Sequence, residues 1–84
     1  MGEQSQSVDV RALIEQIAKA LVDAPEEVSV DQIDGETTVF ELTVAENDLG
    51  KVIGRQGRVA RALRALVGAT GIRARKRFTL EIIE

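Results

Sequence analysis

The chain has 84 residues, 44% of them apolar, with no cysteine, no histidine and a formal net charge of −3. That size admits one domain with one core. The missing residue types remove disulfides, the usual zinc ligands, a thiol nucleophile and the side chain that most readily acts as a base near neutral pH. The modest net charge hides an asymmetry: residues 1–50 carry twelve acidic side chains against Arg11 and Lys19, and residues 51–84 carry nine basic ones against Glu81 and Glu84. A polyanion is attracted by a local basic patch rather than by the sum. The alternative is that the two halves neutralise each other within the fold.

Residues 1–7 are polar and without periodicity, and are expected to form a disordered tail ahead of a single domain over residues 8–84. This segment lacks the charged and apolar regions of a signal peptide, and no apolar run is long enough to span a bilayer, so a cytoplasmic protein is expected. Gln6 stands where a myristoylation signal beginning Met1-Gly2 needs Ser or Thr. From Val8 the spacing of Val10, Leu13, Ile14, Ile17 and Leu21 predicts an amphipathic helix of about four turns, capped by Ser7 or Asp9. Pro25 places its end at Ala24, because the residue before a proline is pushed out of the helical region.

Glu27 to Ile33 alternates, with Val28 and Val30 on one side and Ser29 and Asp31 on the other, as in a half-buried edge strand. Asp34-Gly35 is the strongest hairpin signal in the chain. Thr38, Phe40, Leu42 and Val44 then share one face of a second strand. Asn47 or Glu46 can cap a short helix with Leu49, Val52 and Ile53 as its apolar contacts. Gly50 inside it is unfavourable by about 1 kcal/mol relative to alanine, which suggests a close approach of the backbone. A further helix is expected from Arg58 to Val67, ending over Gly68 to Gly71. On its wheel Val59, Leu63, Leu66 and Val67 oppose Arg58, Arg61 and Arg64, which fall on an arc of about 120°. The last strand runs from Arg77 to Ile83. Arg73, Arg75, Lys76 and Arg77 before it form either a solvated loop or a second phosphate-tracking element.

Between the two later helices stands Lys51-Val52-Ile53-Gly54-Arg55-Gln56-Gly57-Arg58. Two glycines bracketing Arg55 and Gln56 let the backbone take unusual dihedrals and approach a sugar-phosphate chain. A restarting helix offers unpaired N–H groups that suit phosphate, and Arg55 and Arg58 add charge-assisted hydrogen bonds. A lone Gly-x-x-Gly is a weak signal, and its plain alternative is a helix stop and restart with solvated turn residues. A helix-turn-helix reading of the same segment leaves the strands idle. A purely protein-interacting domain with a vestigial loop is a second alternative. The glycines form neither a dinucleotide fingerprint nor a P-loop.

The order helix, strand, strand, helix, Gly-x-x-Gly, helix, strand predicts an α+β domain with three helices on one face of a three-stranded sheet. With the run Val52-Ile53-Gly54-Arg55-Gln56-Gly57-Arg58-Val59, the chain resembles KH domains of type II. Asp48-Leu49-Gly50-Lys51 leading into the run, and the length, are similar to the small bacterial single-KH RNA-binding KhpA family. The resemblance implies a non-enzymatic RNA-binding protein without cofactor or metal, an RNA chaperone or post-transcriptional regulator. It implies that the loop clamps about four nucleotides of single-stranded RNA. Carried over, the contacts are Lys51, Val52, Gly54, Arg55, Gln56, Gly57 and Arg58, with Arg61, Arg75 and Lys76 as possible additions. Val52, with Val59 and Leu42, would line an apolar groove for the bases. Implied partners are a second copy or a KhpB-like chain with a KH module of its own, since one small groove gains from linkage to another.

Overall fold

The computed structural model describes residues 9–84, so the expected tail and the Ser7 cap lie outside the described residues. The first helix, α1, spans Val10–Leu21, and the Asp9 carboxylate caps it by accepting from the Ala12 N–H at 3.1 Å. Val10, Ile14 and Ala18 are its buried stripe. The helix stops at Leu21, earlier than Pro25 requires, and is three turns rather than four. The reason lies elsewhere in the chain: the N–H groups of Asp23 and Ala24 donate to the Asp48 carboxylate at 3.1 and 3.0 Å, which holds the chain extended before Pro25 opens a single 3-10 turn.

Strands β1, Ser29–Ile33, and β2, Thr37–Thr43, pair antiparallel with Ser29 opposite Thr43 and Ile33 opposite Val39. Asp34-Gly35 does mark the reversal, but the turn is longer than a two-residue hairpin and Gly35 does not take a positive φ. Strand β3, Arg77–Ile82, lies parallel to β2, giving the order β1-β2-β3 with β1 at an edge as expected. Parallel neighbours need a long crossover. Here it carries α2, Leu49–Ile53, then the Gly54–Gly57 turn, then α3, Arg58–Ala74.

The helices cover one face of the sheet. Thr38, Phe40 and Leu42 of β2 point into the core with Val30 and Leu80, and Phe40 meets Phe78 edge-on at 5.3 Å between ring centres. Val44, expected on the same face of the strand, lies just past its end and is half-buried.

α3 departs most from expectation. It runs through Gly68 and Gly71 for 17 residues instead of ending there. Its buried stripe is Ala60, Leu63, Val67 and Gly71, continuous at three- and four-residue spacing, and Leu66 is exposed rather than part of the core. Gly71 is small because β3 crosses it closely: a Cβ there would lie 2.8 Å from the Lys76 carbonyl oxygen and 3.1 Å from the Phe78 side chain. The helix ends one turn later at Arg75, left-handed with φ 59°, where the Lys76 N–H bonds Gly71 and the Arg75 N–H bonds Ile72. This is the Schellman closure, with arginine where glycine is usual.

Candidate nucleic-acid interface

The chain enters α2 through a 3-10 turn, Glu46–Asp48, and neither Glu46 nor Asn47 supplies the expected side-chain cap. Asp48 is the working carboxylate of this junction. It is 2% exposed and accepts from the Asp23 and Ala24 N–H groups, with the Lys51 ammonium at 3.6 Å. Burial pushes its carboxyl pKa up, but the two N–H donors and Lys51 outweigh that and hold it below its ordinary value. Lys51 lies 3.3 Å from Asp23, and that contact, against a smaller burial effect and with Asp48 in support, raises the lysine's pKa. The Lys51 ammonium, expected beside RNA, is half-exposed and lies between two carboxylates at the α1–α2 junction. No other part of the described chain approaches Gly50 closely, since a Cβ there would meet nothing within 4 Å.

The turn itself is built on positive φ. Gly54 closes α2 by donating to the Gly50 carbonyl at 2.8 Å and then turns to φ 79°, ψ 168°. A Cβ at this position would collide with Val59, 2.8 Å from its backbone N and its Cβ. Gln56 (φ 57°, ψ 24°) and Gly57 (φ 74°, ψ 15°) are consecutive left-handed residues. For Gln56 that conformation is unfavourable by about 1 kcal/mol or more. Two N–H groups expected to face an anion are used internally: Gly57 donates to Gly54 at 3.0 Å and Arg58 donates to Arg55. No turn, loop or cap bond among the described residues uses the N–H of Arg55 or Gln56, and both residues are exposed.

The arginine arc separates into three tasks. Arg58 Nη2 donates to Gln56 Oε1 at 3.2 Å, Arg61 Nη1 donates to the Gln56 carbonyl at 2.9 Å, and Arg64 Nε reaches the Leu80 carbonyl at 3.4 Å. Arg75 and Lys76 stand at the other end of α3, about 25 Å away at 1.5 Å per residue, so the fold does not bring them to the turn. Of the residues expected to line a groove, Val52 and Leu42 have no exposed surface and belong to the core, while Val59 is half-buried, as is Ile53. Among the described residues, Lys51 is the one basic side chain of residues 51–84 in an ion pair; the arginines and Lys76 have none. Among the described residues, ion pairing joins the acidic and basic halves of the chain at Lys51 alone.

A family model described as KhpA/KhpB, KH domain, matches residues 11–82. The chain is 48% identical over 75 residues to the RNA-binding protein KhpA of Clostridium acetobutylicum, covering 88% of this chain and all of the relative. It is 51% identical over 73 residues to the protein of the same name in Treponema pallidum, covering 86% and 91% of the two chains. To that of Aquifex aeolicus it is 50% identical over 76 residues, covering 89% and 96%. No solved structure matches the chain. The order α-β-β-α-α-β, with the parallel pair bridged through a Gly-x-x-Gly turn, is the type II KH arrangement. Both by that architecture and by sequence, the chain belongs to the KhpA/KhpB KH-domain family.

Proposed function

We propose that the chain binds RNA, that a short unpaired segment lies on the Gly54–Gly57 turn, and that the chain acts as an RNA chaperone or post-transcriptional regulator. The observation that carries this reading is the turn's own chemistry: among the described residues no turn or cap bond uses the N–H groups of exposed Arg55 and Gln56, and the Arg55 and Arg58 guanidinium groups form no ion pair. Backbone donors and cations within one short turn suit phosphate oxygens. The relatives' printed name, RNA-binding protein, supports it. Phosphate contacts at the turn position the strand, and Ile53 and Val59 offer the apolar surface for bases. The reading needs no catalytic group. A single turn of this size binds weakly, so we place the chain beside a second module, either another copy or a KhpB-type chain.

Replacing Arg55 and Gln56 together by aspartate puts two carboxylates where phosphate is placed. RNA affinity is expected to fall at least about tenfold, since like charges at close range are unfavourable by more than about 1.4 kcal/mol. The circular dichroism spectrum should not change, because both side chains are exposed. Retained affinity in the folded double variant would end the assignment.

A further inference from the structure

We infer that Arg61 is a positioning residue: it locks Gln56 in the left-handed conformation that shapes the turn, and it does not itself contact the ligand. For its functional readout the inference rests on the RNA-binding reading above; its structural readout does not. The chain reverses between α2 and α3 by setting two consecutive residues left-handed, Gln56 and Gly57. Glycine adopts that region freely, whereas glutamine needs a reason to stay in it. Arg61 supplies one. One turn along α3, its Nη1 donates to the Gln56 carbonyl at 2.9 Å, and the same nitrogen passes 3.4 Å from where a Cβ of Gly57 would stand. The absent side chain at Gly57 leaves the guanidinium its path.

Arg58 holds the other end of the same residue, Nη2 to Gln56 Oε1 at 3.2 Å. Gln56 is thus gripped by main chain and side chain from two positions three residues apart, which share a helix face. There is also an electrostatic gain. The Gln56 carbonyl is the group in the turn that repels an anion, and the Arg61 guanidinium covers it, so that the turn offers donors.

The test compares Arg61→Ala, Gln56→Gly and the double variant in the full chain. It reads the ¹⁵N order parameters of the Gln56 and Gly57 amides without RNA, and the affinity for a short unstructured oligoribonucleotide of mixed sequence. Arg61→Ala should lower the order parameters of both amides from near about 0.85 toward the flexible range below about 0.6. Affinity should fall about fivefold, the equivalent of one hydrogen bond, with the salt slope unchanged. Gln56→Gly in that background removes the conformational penalty and should recover most of the affinity. Unchanged order parameters in Arg61→Ala would overturn the inference. So would a double variant as weak as Arg61→Ala with a salt slope smaller by about 0.7, the mark of a lost phosphate contact. A wild-type chain that ignores the oligoribonucleotide defeats the RNA reading, and the order parameters still decide the lock.

Discussion

At Gly54 a side chain would strike Val59 and the backbone is already at φ 79°; at Gly71 it would strike the Lys76 carbonyl. At Gly50 and Gly68 a Cβ meets nothing within 4 Å. The same substitution should therefore change sign with position. Gly54→Ala and Gly71→Ala are expected to lose about 1–3 kcal/mol, through strain and overpacking. Gly50→Ala and Gly68→Ala are expected to gain about 0.5–1 kcal/mol, through helix propensity and a less flexible unfolded chain. Urea denaturation midpoints at constant m-value measure both. The helix break at Gly54 and Gly57 was legible in the sequence because two glycines interrupt an otherwise helical apolar spacing. The fate of Val52 was not: apolar spacing marks a buried face, but cannot say whether a residue lines a groove or lies beneath it. The contact between Lys51 and Asp23 was hidden for a related reason, since the two are far apart along the chain and meet through the fold.

Among the elements, the existence and buried faces of α1, β1 and β2 follow from periodicity, because the apolar residues Val10, Ile14, Val30, Phe40 and Leu42 recur at the spacing of a helix or a strand. α3 does not, because Gly68 and Gly71 look like a stop although the apolar stripe continues beneath them to Gly71. Packing against Phe78 outweighs propensity here. The early end of α1 was hidden too, being set by Asp48 on a different element. That carboxylate joins two elements, and Asp48→Asn should lower Tm at neutral pH more than Asp23→Asn, whose side chain is largely exposed. Its folded pKa lies below its ordinary value, so its contribution is complete above the ordinary carboxylate range and is lost as pH falls through the folded value. The wild type should therefore lose stability in acid more steeply than the Asp48→Asn variant. Thermal unfolding across the acid range checks it. Lys51 has the opposite sign: its pKa is raised, so its contribution is complete below the ordinary lysine value and fades as pH climbs through the folded one.

Over the whole molecule, the charge asymmetry read from the sequence survives folding, because the arginines of residues 55–77 form no ion pairs among the described residues. Folding nevertheless divides that basic half. Arg55 and Arg58 stand at one end of α3 and Arg75 and Lys76 at the other, which composition alone could not show. With three or four phosphates engaged at the turn, the logarithm of RNA affinity should fall with the logarithm of salt at a slope of about −2 to −3. Two copies joined covalently should double that slope if each turn engages. Fluorescence anisotropy titrations across a salt series measure both, and a steeper slope for a single copy would bring the far end of α3 into the interface.

β2 and β3 lie side by side, yet the main chain passes from one to the other only through the segment that holds Gly54–Gly57. A peptide bond broken at Arg55 therefore leaves two adjacent strands on separate fragments, with only the ladder and the shared core to hold them side by side. A protease that reaches the turn converts the centre of the sheet from one chain into a meeting of two.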